Sequence, residues 1–288
     1  MYTTVCNSSN ERIHAENFPN RSANARRGAA AVIGDLFRAA FAEFTTVTLI
    51  LVALVTLATS AIHGATGVAG GLLLSAALAP IIGVKPIVPT LSIALLISHG
   101  ARALLNLKDF DRTAYLAVTL PAIPCIVAGA FIYGRLTSAA IAILLAAVIL
   151  VSIPVRRWAQ SRAIKANGAT LAGVGAIYGG LSGATIGPGL LLIPFLLGYG
   201  LSKGAFVATL AVIALTTNVV RTAVFGGTSL LEPHLVLLGV LIGLLTVPGN
   251  WIGRSMMRRM SLALHVGLVD ILTVLGGLNF LWLAYRSW

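Results

Sequence analysis

The chain has 288 residues, 58% of them hydrophobic and 10% charged, with a net charge of +12 and a mean hydropathy of +0.95. A soluble domain of this size needs a charged surface that this composition does not supply, whereas lipid accepts leucine and valine outside, so the chain reads as an all-α, polytopic integral membrane protein. In such a protein, excess Lys and Arg mark topology-setting loops that meet anionic headgroups, and no nucleic-acid partner is expected.

Residues 1–43 form a polar, basic N-terminal tail rich in Asn, Ser and Arg, which lacks the apolar run of a signal peptide. Its last part, from about residue 29, carries Asp35, Arg38 and Glu43 among Ala, Val and Phe and suits a short interfacial helix. Residues 44–155 make a first transmembrane repeat: an apolar segment from Phe44 to about His63, a glycine-rich interruption, a shorter segment from Leu72 to Ile82, and helices over Pro86–Leu105, Ala114–Tyr133 and Ser138–Val155. Residues 156–167 hold Arg156, Arg157, Arg162 and Lys165 without an acid and read as a basic cytoplasmic linker. The second repeat, 168–288, follows the same plan, with a broken segment over about 170–200 and helices near 204–224, 233–252 and 261–284. About eight transmembrane segments result. Cys6 and Cys125 lie far apart, one in the tail and one in an apolar segment, and suggest neither a disulfide framework nor a metal site.

The two repeats are visible as sequence. Ala61-Ile-His-Gly, a run of small residues and Gly71-Leu-Leu-Leu74 match Ala176-Ile-Tyr-Gly, a similar run and Gly189-Leu-Leu-Leu192, at an offset of 115 to 119 residues. Downstream, Lys85 falls opposite Lys203, Thr90 opposite Thr209, Arg102 opposite Arg221, and Gly134-Arg135 opposite Gly253-Arg254. Each copy has one interrupted apolar segment near its start, which points to a transporter's binding site.

The interruption is clearest in the second copy. Five glycines lie between Gly179 and Gly189, each costing a helix interior roughly 1 kcal/mol against alanine, and Pro188 removes a backbone donor. Within hydrocarbon, an unwound backbone needs protein or a wet cavity to satisfy its N–H and C=O groups. The basic loops give the orientation. With the linker in the cytoplasm, the loop of Lys108 and Arg112 and that of Arg254, Arg258 and Arg259 lie inside, and the Arg135 turn and the 226–232 loop outside. Both ends of 170–200 then lie inside, making it a hairpin and the repeats inverted, although the mirrored hairpin puts the basic tail outside, against the rule.

A broken helix offers free N–H groups with partial positive charge, and glycines let an oxyanion approach them. The candidate substrate-binding residues are therefore His63, Gly64, Thr66, Gly67, Gly70 and Gly71 at the first break, and Thr90, His99 and Arg102 on the helix after it. Their second-copy counterparts are Ser182, Gly183, Thr185, Gly187 and Gly189, with Thr209, Asn218 and Arg221. Helix packing competes for each glycine, snorkelling for the arginines and interfacial anchoring for Lys85 and Lys203. Asp270, alone in the last apolar segment, is a candidate proton-coupling carboxylate.

The glycine-rich break, Gly-Leu-Leu-Leu-Ile-Pro, the turn with Lys203, Ala208-Thr209 and the helix reaching Asn218 and Arg221, in duplicate, resemble the sulfite exporter (TauE/SafE-like) family over about residues 45–284. Asp111 within Lys108-Asp-Phe-Asp-Arg112 resembles that family's loop after its second helix. The first copy departs at Ser75, where the second has Ile193-Pro194, and at Pro89, where the second has Ala208. The resemblance implies a permease of the cell inner (plasma) membrane for a small sulfur-containing anion such as sulfite, an organosulfonate or thiosulfate, often an exporter. It implies alternating access around the two breaks, with one half moving hinge-like against the other. The expected partners are the anion, the bilayer, a proton or ion for coupling, and a second copy in a homodimer. No nucleophile elbow, metal-spaced His or Cys cluster, Walker motif or carboxylate pair suggests an enzyme, a cofactor or a metal. The alternatives are a non-transporting assembly protein and a permease for a different small solute; the scarcity of intramembrane acids disfavours a cation.

Overall fold

Helix boundaries follow local capping chemistry. Asp111 accepts the Ala114 N–H at 2.8 Å, Asn167 the Thr170 N–H at 2.8 Å and Ser202 the Ala205 N–H at 3.3 Å, each relieving a backbone donor that the first turn leaves without a partner. Gly83 takes φ +95°, a conformation that L side chains rarely adopt, and separates two helices by one residue.

The computed structural model describes residues 44–66, 70–161, 164–257 and 262–288, with isolated positions before Phe44. The N-terminal tail and most of the expected interfacial helix fall outside the described residues. The described chain is helical throughout, without a strand. The first repeat comprises α1 (Thr46–Thr66), α2 (Gly70–Ile82), α3 (Val84–Asn106), α4 (Arg112–Arg135) and α5 (Ser138–Ser161). The second comprises α6 (Gly168–Ala184), α7 (Gly189–Gly198), α8 (Lys203–Gly227), α9 (Pro233–Met257) and α10 (Leu262–Arg286). Five of the described helices, α3, α4, α5, α8 and α9, are long and apolar enough to cross a membrane by length and composition.

Two helix ends lie more than a turn beyond expectation, and the helix expected near 233–252 runs to Met257. The helix over Ser138–Val155 continues to Ser161, so half of the expected linker is helical. Pro154 sits inside α5, and the residues after it, Arg, Trp, Ala and Gln, include good helix formers and no Gly.

The α6–α7 segment is a hairpin. Ala166, just before α6, donates its N–H to Gly198 O at the end of α7 at 3.1 Å, so the two ends of the segment meet. The ten residues of α7 span about 15 Å, half of a hydrocarbon core of about 30 Å. The break between α6 and α7 is therefore deep in the bundle rather than at its end.

Contacts also sort the loops into two faces. On one, a Cβ on Gly204 would lie 2.7 Å from Asp109 Oδ2, and the Asp111 N–H donates to Thr209 Oγ1 at 3.1 Å. The α3–α4 loop thus adjoins the start of α8, next to the end of the hairpin where Ala166 and Gly198 meet. On the other, Tyr133 donates its hydroxyl to Lys85 O at 2.7 Å, a Cβ on Gly134 would lie 3.1 Å from Leu230, and Phe44 stacks near His234 at 5.8 Å. The start of α1 therefore shares a face with the 228–234 loop.

The repeats are interlocked rather than side by side. The most extensive interface joins α4 to α6, and the next joins α1 to α9, its counterpart when the repeats are exchanged. The same exchange relates α4–α8 to α3–α9 and α5–α7 to α2–α10, while α3–α8 and α5–α10 pair a helix with its own counterpart. Two bundles result, α4/α6/α8 and α1/α3/α9, each built from both repeats. Movement of one sequence half against the other would have to open the two largest interfaces among the described residues.

Candidate functional site

The α6–α4 interface accounts for part of the glycine run. Gly175, Gly179 and Gly183 recur every fourth residue on one face of α6, where any Cβ would strike the α4 backbone at Val118, Ala122 and Ile126. Small residues let the two backbones approach, and Gly183 belongs to this stripe. Gly180 points into open space. The break itself runs from Thr185 to Pro188, where α6 has ended and α7 has yet to begin.

Arg221, on α8, reaches this break from the side. Its side chain is 2% exposed. The last carbonyls of α6 have no intrahelical partner and form the negative end of the helix dipole. Arg221 Nη1 donates to two oxygens there, Ser182 O at 2.9 Å and Thr185 O at 2.7 Å, and Nη2 donates to Asn218 Oδ1 at 2.6 Å. Asn218 is fixed in turn by its Nδ2, which donates to Ala214 O at 2.7 Å. The guanidinium is thus held in one orientation. That orientation leaves Arg221 Nε without a hydrogen-bond partner among the described residues, and Ser182 Oγ is likewise buried and without one.

Both groups border a cavity of about 100 Å³. Gly187, Pro188 and Gly189 line it at the start of α7, whose first turn is closed by the Leu190 and Leu191 N–H groups donating to Gly187 O at 3.3 Å and Pro188 O at 2.9 Å. Gly71 lines it from α2, and His99 and Arg102, both half-buried, from α3. None of the described lining residues carries a carboxylate. The cavity therefore gathers Gly71, His99, Arg102, Ser182, Thr185, Gly187, Gly189, Asn218 and Arg221 from the candidate residues, drawing on both repeats.

The remaining candidates are elsewhere. Gly70 and Thr90 are buried outside the cavity lining, and the Thr209 hydroxyl is engaged by the Asp111 N–H. His63, Gly64 and Thr66 belong to the last turn of α1 by backbone, with side chains outside the description, and Gly67 lies outside the described residues. Two polar side chains of the lining, Tyr178 and Thr217, lie outside the candidate set. Tyr178 donates to Thr217 Oγ1 at 3.0 Å, and Thr217 donates to Ile213 O at 2.9 Å. Tyr178 stands opposite His63 in the duplicated stretch, which was the signal available for it.

Asp270 is the one acid of α10. Arg157 Nη2 lies 2.7 Å from Asp270 Oδ2, with the Asp270 side chain 15% exposed and that of Arg157 68%. The pair ties α5 to α10 away from the cavity. With one partner largely exposed, it stabilises by less than about 1 kcal/mol. Asp270→Asn is expected to lower thermal stability slightly and to leave any dependence of flux on a proton gradient unchanged; loss of that dependence would make Asp270 the coupling group.

Among the described residues, no group of three or more His, Cys, Asp or Glu is placed to hold a metal ion. A protein-family model described as Sulfite exporter TauE/SafE matches residues 51–280. No curated protein and no solved structure matches the chain.

Proposed function

Because this chain belongs to the sulfite exporter TauE/SafE family, we propose that it is a multi-pass permease of the inner (plasma) membrane that exports a small sulfur-containing oxyanion through the cavity at the α6–α7 break. The observation that carries the anion reading is Arg221. It is a guanidinium at 2% exposure in an apolar bundle, beside a cavity without carboxylates, with Nε and the neighbouring Ser182 hydroxyl both unsatisfied. Buried polar groups of this kind cost free energy until a ligand pairs with them. An oxyanion accepts from both at once, and the α7 N-terminus adds partial positive charge. Close packing of small residues alone, as in an assembly protein, accounts for Gly175, Gly179 and Gly183 but needs no charged cavity.

The loop face bearing Lys108, Arg112 and Lys165 is cytoplasmic in this reading, since it holds the larger share of basic residues. The moving bodies in alternating access are the bundles α4/α6/α8 and α1/α3/α9, which meet along α3 and α8. Ser92 and Thr222, whose hydroxyls lie 3.0 Å apart, mark that seam, and the cavity lies beside it.

Counterflow of labelled sulfite in proteoliposomes tests the reading. Saturable exchange is expected in vesicles holding the protein and absent from empty ones. Folded, reconstituted protein with no exchange above empty vesicles would overturn it.

A further inference from the structure

The cavity lies on one side of the break. α3 enters from the 228–234 face, where Tyr133 meets Lys85, and ends at the α3–α4 loop, while α8 runs the opposite way. Cavity-lining residues on α3 begin at Leu95 and continue to Arg102, and those on α8 begin at Leu210 and end at Arg221. Exposure is graded along the same direction: Leu95, Asn218 and Arg221 are buried, whereas Ala214, Leu210 and Arg102 are half-buried. The site is reached from the α3–α4 loop face.

Towards the 228–234 face it is sealed. Ile87 and Leu91 on α3 and Phe225 on α8 are all 0% exposed, and Phe225 stands one turn, about 6 Å, beyond Arg221. Tyr133, at the end of α4, is equally buried, and its ring lies on Phe225 with centroids 5.4 Å apart. Its hydroxyl donates to Lys85 O at 2.7 Å. That carbonyl has no helical donor of its own, because the residue four positions on is Pro89, which lacks an N–H. α4 and α3 belong to different bundles, so the bond crosses the seam between the two moving bodies.

We propose that Tyr133 is the latch that holds the site closed towards the outer face, pinning α4 to the carbonyl that Pro89 leaves free, and that its release lets the bundles part on that side. The proposal rests on the permease reading and adds to it the residue that decides which face the site opens to. The duplication carries the latch once. Ala208 stands opposite Pro89, and Ile252, one residue before Gly253, stands opposite Tyr133. Alanine gives the helix back its N–H, and isoleucine, here 47% exposed, has no donor. The exchanged contact, between the end of α9 and the start of α8 at the α3–α4 loop face, therefore lacks this bond.

Thiol labelling tests it in a protein carrying Cys6→Ser, Cys125→Ser and Ala214→Cys, which places one thiol in the cavity lining. A membrane-impermeant methanethiosulfonate bearing a sulfonate is applied to inside-out and to right-side-out vesicles. With Tyr133 present, labelling from the cytoplasmic side is expected to be at least tenfold faster than from the outside. Tyr133→Phe, which keeps the ring and removes the donor, should raise the outside rate by about threefold to tenfold, the factor that a lost hydrogen bond contributes to an equilibrium. Pro89→Ala supplies Lys85 O with a helical donor and should shift the outside rate in the same direction, so the pair of variants decides even if one does not fold. Equal or faster labelling from outside in the Tyr133 protein, or an outside rate that both variants leave unchanged, would overturn the latch. Labelling is read without flux, so a failed permease reading, seen as absent counterflow, is told apart from a failed latch.

Discussion

Arg221→Ala is expected to abolish sulfite counterflow and to destabilise the α6–α7 hairpin. The substitution strips Ser182 O, Thr185 O and Asn218 Oδ1 of a common donor. Each buried acceptor left without a partner costs about 1–3 kcal/mol, so a thermal unfolding transition should fall by several degrees as well. Because lost flux and lost fold coincide in that variant, Arg221→Lys is the more informative one. Lysine keeps the charge but presents its donors from a single nitrogen, without the planar fork that spans two carbonyls, Asn218 and the cavity together. The Lys variant is expected to fold and to bind the anion at least tenfold more weakly, equivalent to about 1.4 kcal/mol. Wild-type counterflow in Arg221→Lys would show that the residue serves only to cap α6.

Gly187→Ala carries the second largest expected effect. Gly187 has φ +96°, a backbone conformation that costs a residue with a Cβ about 1–3 kcal/mol. The added Cβ would also overlap the Leu72 side chain, which α2 lays over the break. The two contributions separate experimentally: Gly187→Ala combined with Leu72→Ala relieves the overlap and leaves the backbone strain. Counterflow should fall steeply in the single variant and recover only in part in the double one. Gly180→Ala, seven residues earlier in the same glycine run, meets nothing within 4 Å. It should be neutral or stabilise α6 by up to roughly 1 kcal/mol through helix propensity. Equal loss of flux in Gly180→Ala and Gly187→Ala would deny the break any special position.

These contrasts show what local sequence carries. The five glycines and Pro188 locate an interruption because they act on the backbone at their own positions, and helix starts after Asp111, Asn167 and Ser202 follow from side chains that accept the N–H three residues on. The hairpin follows from basic loops on a common face, which the Ala166–Gly198 hydrogen bond closes. Partner choice is different in kind. Nothing local tells α6 that it packs on α4 rather than on a helix of its own repeat, so the exchange between repeats and the two mixed bundles emerge only from the fold. The glycine run does not by itself separate the stripe Gly175, Gly179, Gly183 from Gly187, because that division of labour depends on where α4 lies. Arg221 stood out by its duplication, whereas its grip on the α6 carbonyls required the geometry. The continuation of α5 to Ser161 was hidden because basic residues signal a loop by topology and a helix by propensity.

The most direct measurement is an experimental structure of the full chain with selenite, the heavier trigonal-pyramidal analogue of sulfite, located by its anomalous scattering. The peak is expected in the cavity between α3, α8 and the α6–α7 break, within hydrogen-bond distance of Arg221 Nε and Ser182 Oγ. A bound selenium confined to another part of the molecule, or an empty cavity at a concentration that saturates counterflow, would contradict an anion site at the break.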